Sequence, residues 1–189
     1  MSLAGPSLTG NEIAITQIKD TRLSIGLDID TANFGAQITA QLNHTVLNNK
    51  DNTLLKDELL VSYQKAWDAI PKQSKDKLMA RGGGQLSDAR LEQLSSNWTK
   101  YFLMHDHKIY LSKLTVPTLV LYGSKDTQLN PITNIPVFEE LLVGKNSFNE
   151  VHVMEGLNHL FQPANTGLMN EYVSIQTTFS PLALNKIAV

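Results

Sequence analysis

Two short loops carry the side chains with the most chemical promise. One is Gly123-Ser124-Lys125-Asp126, and the other is Glu155-Gly156-Leu157-Asn158-His159. The first follows a short apolar, β-rich run, Thr118–Tyr122, and the second follows Asn149–Met154, which reads as a second strand. In open α/β sheets, working groups sit just beyond the carboxyl ends of the strands. An acid after one strand and a histidine after the next is a suitable pair for proton transfer. The imidazole titrates near neutrality and can take a proton from a hydroxyl nucleophile. The carboxylate can fix the ring's tautomer and stabilise the imidazolium. Asp126 and His159 are therefore the candidate catalytic residues; solvation or local capping is the ordinary alternative role for an Asp or a His in a loop.

The elements that must position them differ between the two parts of the chain. From about Thr9 to Tyr110 the pattern is helical. Thr9-Gly10-Asn11-Glu12 has the form of a capping box. Ala36, Ala40 and Leu47, with Ile38 and Leu42, predict a second helix. Leu54, Leu55, Leu59, Leu60, Tyr63, Trp67 and Ile70 make a stripe of 3.6-residue period that Pro71 ends. Gly82-Gly83-Gly84 is a break, and Leu86 to Met104 reads as one further helical stretch. After Val116-Pro117 the texture changes. A strand at Thr118–Tyr122 and a helix over 134–143 precede the strand at Asn149–Met154, and Ser180-Pro181 starts a closing helix. This β-α-β-α order predicts an α/β fold with a parallel sheet, and the expected division is 1–110 and 111–189.

Composition narrows the function classes. The chain has 189 residues, 42% hydrophobic and 18% charged, as expected of a globular protein. Its formal net charge of −2 gives no basic field for nucleic acid. No apolar run reaches the length of a membrane span. Met1-Ser2-Leu3 shows no charged n-region or long apolar h-region of a signal peptide, and the compartment stays open. There is no cysteine, so a thiolate nucleophile and a Cys-based zinc site are excluded.

Several segments resemble the α/β-hydrolases. Val116-Pro117-Thr118-Leu119-Val120-Leu121-Tyr122-Gly123-Ser124-Lys125-Asp126 resembles the family's acid-bearing strand and loop. Gly156-Leu157-Asn158-His159-Leu160-Phe161-Gln162 resembles the histidine loop of a bacterial esterase branch related to dienelactone-hydrolase-like proteins, and is the most specific match. Trp98-Thr99-Lys100-Tyr101-Phe102-Leu103, Thr178-Phe179-Ser180-Pro181 and Ala4-Gly5-Pro6 resemble further segments of that branch. The resemblance implies a partial α/β-hydrolase fold, the last strands of a parallel sheet with flanking helices, preceded by a helical cap over residues 1–110 that follows a strand stub. It also implies a serine esterase or acyl hydrolase with a small ester or acyl substrate and no metal or organic cofactor. Asp126 and His159 would be two members of its triad.

The third member departs from the family. No G-x-S-x-G elbow occurs; Gly5-Pro6-Ser7-Leu8-Thr9 comes nearest, with Thr9 in place of the second glycine, and Ser7 reads as a loop residue. The expectation is that the nucleophile lies upstream of this chain. The rival reading is a non-catalytic binding or interaction module derived from the same fold. With only a stub before it, the strand at Thr118–Tyr122 is expected to present an open edge, through which the chain would associate with itself or with a separate N-terminal half. Other motifs carry less. Ser62-x-x-Lys65 and Ser74-x-x-Lys77 lack their partner motifs and read as helix surface. His105-Asp106-His107 reads as loop rather than metal site. Trp67 and Trp98 lie in apolar stripes and read as core, with an acyl-pocket lining as the alternative.

Overall fold

The computed structural model describes residues 2–188. Its contacts divide the chain into two compact units, residues 10–105 and residues 1–9 with 106–189. The sequence put the boundary at 110. The break falls earlier because Asp106 caps a short helix, α7 (His107–Leu111), that belongs with the second unit; the Asp106 carboxylate accepts from the Lys108 N–H at 2.9 Å. The opening strand also belongs there rather than with the helices.

The second unit is an α/β structure around three parallel strands in the order β1-β2-β3. These are β1 (Ser2–Leu3), β2 (Leu119–Gly123) and β3 (Glu150–Met154). β2 pairs with β1 through Ser2↔Val120 and Leu3↔Leu121, and with β3 over its whole length. Its side chains alternate between two small cores, as strand geometry requires. Val120 and Tyr122 pack with Phe138 and Leu142 of α8 (Pro131–Leu142). On the other face, Leu121 packs with Leu157, Phe161 and Ala183 of α9 (Pro181–Ala188). A run buried on both faces is what a continuous apolar strand without polar alternation needs.

The expected open edge on β2 is not what the structure shows. Val120, Leu121 and Tyr122 have no solvent exposure. The two residues of β1 and the turn that follows them cover that side. The Ala4 N–H donates to the Leu121 carbonyl, and the Tyr122 hydroxyl donates to the Gly5 carbonyl. Ser7 then ties the segment to α8: its N–H and hydroxyl both reach the Asn134 Oδ1 at 3.0 Å. A stub can cover a strand because backbone pairing needs only a few residues where side-chain bonds hold the rest in place. The β3 side carries charge instead, with Glu150 paired to His152 and to Lys186 of α9. Charged edges of this kind resist further strand pairing.

The first unit is all helical, with α1 (Gly10–Ser24), α2 (Ile29–Asn48), α3 (Leu55–Asp68), α4 (Lys72–Met79), α5 (Asp88–Ser95) and α6 (Asn97–Met104). The predicted single stretch over 86–104 is two helices. Ser96 is extended (φ −73°, ψ 146°) and its hydroxyl accepts from the Thr99 N–H at 3.1 Å, so a serine N-cap restarts the helix. Pro71 ends α3 as predicted and also precedes α4, which the sequence did not separate. The core of this unit joins Ile38, Leu42 and Val46 of α2 to Leu55, Leu59, Leu78, Leu94 and Leu103. Of the α3 stripe, only Leu55 and Leu59 are fully buried; Leu54 and Leu60 face solvent. Trp98 departs from its core assignment: it is 65% exposed and stacks on Phe102 at 5.3 Å. No helix among the described residues is long and apolar enough to cross a membrane.

Leu59 has no solvent exposure, whereas Val61, two residues on, is 70% exposed. Leu59→Ala is therefore expected to cost about 2–5 kcal/mol through lost transfer energy and a residual cavity. Val61→Ala should change stability by no more than about 0.5 kcal/mol. Urea denaturation followed by circular dichroism checks both, and equal effects would contradict the packing described.

Candidate active site

β2 and β3 run parallel and in register from Leu119↔Glu150 to Gly123↔Met154, so their carboxyl ends open on the same side. Asp126 and His159 follow those ends. The His159 Nδ1 lies 2.8 Å from Asp126 Oδ2. A carboxylate only accepts, so Nδ1 carries the proton in this bond and Nε2 is left as the ring's basic nitrogen. The Asp126 side chain has no solvent exposure; the His159 side chain is 25% exposed. Among the described residues, no hydroxyl bonds to the His159 ring.

The loops hold one another before they hold the pair. The Ser124 N–H donates to the Met154 carbonyl, and the Lys125 N–H to the Leu157 carbonyl, both at 2.9 Å. In return, the Gly156 N–H donates to Ser124 Oγ at 2.8 Å. This approach needs Gly123: a Cβ there would lie 2.2 Å from the Leu157 carbonyl oxygen. Asp126 is then fixed by its own turn, where Oδ1 accepts from the Gln128 and Leu129 N–H groups at 2.9 and 2.8 Å. Both carboxylate oxygens are thus occupied, which a buried charge requires.

The histidine loop is built around Asn158, which is fully buried. Its Oδ1 accepts from the Leu160 and Gln162 N–H groups, each at 2.9 Å, and its Nδ2 donates to Gln162 Oε1 at 3.0 Å. The tight turn puts Phe161 at φ +57°, a left-handed conformation that costs a bulky residue on the order of 1–3 kcal/mol. That conformation is held by stacking on Phe179 at 5.4 Å and by the Ser180 N–H donating to the Phe161 carbonyl.

A further segment, residues 163–174, supports the acid from outside, and the sequence did not disclose it. Glu171 receives the N–H groups of Asn165, Thr166 and Gly167 and the Thr166 hydroxyl, with closest distances of 2.8–3.0 Å. These donors hold its carboxyl down to about 2, the Asn165 N–H contributing most. The closed turn reaches the Asp126 loop through Lys125 Nζ to the Asn165 carbonyl and the Thr127 hydroxyl to the Gly167 carbonyl. Gly167 has φ +77° and would place a Cβ 1.8 Å from the Lys125 carbonyl oxygen. Gln128 Nε2 donates to the Tyr172 hydroxyl at 3.1 Å. Burial raises that phenol above its ordinary value, while the bonds from Gln128 and from the His159 backbone oppose the shift. The signal in the sequence is Thr166-Gly167 with an acid four residues later, a turn pattern that does not by itself name what it touches.

The remaining sequence candidates have structural partners. Ser7 is fully buried and bonded to Asn134. Ser62 bonds to Thr45 and Ser74 to Thr31, while Lys77 pairs with Asp28. The His107 Nδ1 sits 2.7 Å from the Leu8 carbonyl. Among the described residues, no group of three or more His, Asp or Glu is placed to hold a metal ion. Gly82 and Gly84, at φ +79° and +103°, turn the chain after α4. Comparison with known proteins gives no match to a family model, a curated protein or a solved structure.

The Glu171 turn should weaken in acid. A carboxyl that titrates near 2 when folded and about 4.3 when unfolded contributes stability that is complete above roughly pH 5 and is lost as pH falls toward 2. Proteolysis of residues 163–174 should therefore accelerate between about pH 4 and pH 2, measured with an acid-active protease. Glu171→Gln should be cut quickly at pH 7 and lose this added acid sensitivity; a variant with the wild-type profile would remove Glu171 from the role described.

Proposed function

We propose that this chain is the acid-and-histidine part of an α/β-hydrolase that cleaves carboxylic esters or related acyl substrates. The observation that carries the reading is the buried Asp126 carboxylate, bonded on one oxygen by two backbone N–H groups and on the other by His159 Nδ1, at the ends of successive parallel strands. The strand order β1-β2-β3 and the segments that resemble the family support it. Ala4-Gly5-Pro6, just after β1, are the residues that resemble the end of the family's strand after the nucleophile. The helical residues of the first unit correspond in this reading to the family's cap.

Each residue then has a role. A serine hydroxyl attacks the ester carbonyl carbon while His159 Nε2 takes its proton, and the imidazolium is stabilised by Asp126 through Nδ1–H. The tetrahedral intermediate collapses as Nε2 returns the proton to the leaving alkoxide. Water then repeats the sequence on the acyl-enzyme with the same base. Ser7 is unsuited to the first step because its hydroxyl is buried and committed to Asn134. The serine and the backbone N–H groups of an oxyanion hole would come from polypeptide outside this sequence. The non-catalytic alternative has no observation of its own in its favour. The proposed association through the β2 edge loses its premise with the burial of that strand.

Two assays test the reading. The chain alone should hydrolyse p-nitrophenyl acetate no faster than its His159→Ala variant, since nucleophile and oxyanion donors are both missing. Joined to the polypeptide encoded immediately upstream, it should turn the ester over, and His159→Ala should then lower kcat by more than about a thousandfold. Asp126→Asn should cost about 10⁴ by favouring the wrong tautomer. Activity of the joined protein that survives His159→Ala would refute the assignment.

A further inference from the structure

Three side chains of the acid loop reach the segment 163–174. Lys125 Nζ donates to the Asn165 carbonyl at 2.6 Å, the Thr127 hydroxyl to the Gly167 carbonyl at 3.0 Å, and Gln128 Nε2 to the Tyr172 hydroxyl at 3.1 Å. The first two acceptors are backbone carbonyls, which any residue supplies. The third is a phenol oxygen, so it depends on residue 172 being tyrosine. Tyr172 lies on a 3-10 helix, Met169–Ser174. On that helix Met169 and Val173 are 65% and 93% exposed, whereas Tyr172 is partly buried. The helix thus turns its phenol inward and leaves its apolar side chains in water.

The partners of that oxygen lie on both sides of the acid–histidine pair. Gln128 belongs to the turn that holds the acid, where its backbone N–H donates to Asp126 Oδ1 at 2.9 Å. The His159 backbone N–H also bonds to the phenol. A hydroxyl oxygen has two lone pairs, so it can accept both bonds at once. One oxygen therefore ties the acid's turn to the main chain of the histidine, and the 2.8 Å bond from His159 Nδ1 to Asp126 Oδ2 spans the same two loops. Phenylalanine would fill the space of the ring but leave the Gln128 amide and the His159 N–H without this acceptor. We propose that Tyr172 is a positioning residue for His159: through Gln128 and the His159 main chain it keeps Nδ1–H on Asp126 and leaves Nε2 as the basic nitrogen. It touches no substrate in this role. The role rests on the reading of His159 as the catalytic base, but it is tested without an ester, so the two can fail separately.

Nitrogen chemical shifts of the neutral His159 ring, measured by NMR on the full chain, report its tautomer. Nδ1–H should dominate in the unaltered protein. Tyr172→Phe should lower the ratio of Nδ1–H to Nε2–H by roughly fivefold or more, the worth of one hydrogen bond. Gln128→Leu should lower it as well, and should add less in the Tyr172→Phe background than it does alone, because the two changes break a shared link. Val173→Ala, on the same helix but facing solvent, should leave the ratio unchanged. In the protein joined to its upstream polypeptide, Tyr172→Phe should lower kcat by a similar factor and leave KM as it was. Dominance of Nε2–H in the unaltered chain, an unchanged ratio in Tyr172→Phe, or an equal fall in Val173→Ala would overturn the proposal. Should Tyr172→Phe fail to fold, Gln128→Leu decides by the same ratio. A joined protein that is inactive while the ratio shifts as expected would count against the hydrolase reading and leave the role of Tyr172 standing.

Discussion

A carboxylate with no exposure to water sets the terms for the second unit. Burying that charge is tolerable only if both oxygens are occupied, and Asp126 meets the condition with two backbone donors and one imidazole. Those donors must be delivered by two different pieces of chain. Gln128 and Leu129 need the turn after β2, and His159 needs the loop after β3. The two strands must be parallel neighbours for both loops to arrive at one end. The parallel register, the close approach at Gly123 and the Asn158-centred turn can all be understood as the means of keeping that carboxylate satisfied.

The same condition explains why residues 163–174 matter although they hold no candidate catalytic group. A turn that protrudes next to a buried ion exposes it to water if it moves. Glu171 gathers three backbone N–H groups and closes that turn on itself, and Gly167 lets it lie against Lys125 without a side chain intervening. The local arrangement is one acid organising backbone donors, then a second acid organising its own, with Lys125, Thr127 and Gln128 joining the two.

The sequence was most informative where a single physical preference decided the outcome. Val120, Leu121 and Tyr122 had to be a strand buried on both faces because no polar residue interrupts them, and Pro71 had to end a helix because it lacks an N–H. Asp126 and His159 were legible as candidates because their loops follow such strands. Less was legible where a local bond overrode the pattern. Ser96 splits a helix that the apolar spacing alone would continue, and Asp106 draws α7 into the other unit. Trp98 lies in an apolar stripe yet faces solvent, because stacking on Phe102 needs only one face of its ring. The burial of the β2 edge by a two-residue strand depends on Tyr122 and Asn134 reaching residues more than a hundred positions away. The Glu171 turn was invisible for the same reason: its partners lie forty residues upstream.

The cross-linking of the two loops by Ser124, Lys125 and Gly156 bears on how this piece of protein could be inherited or transplanted. Because the two loops are joined directly by backbone and side-chain hydrogen bonds, the acid and the base have few independent degrees of freedom. Their separation is set inside a short, discontinuous cassette of two strands and two turns. Sequence drift in the surrounding helices could change what such a cassette faces without changing its internal spacing. A protein engineer moving it to a new parallel sheet would have to carry Gly123, Asn158 and the strained Phe161 along with Asp126 and His159.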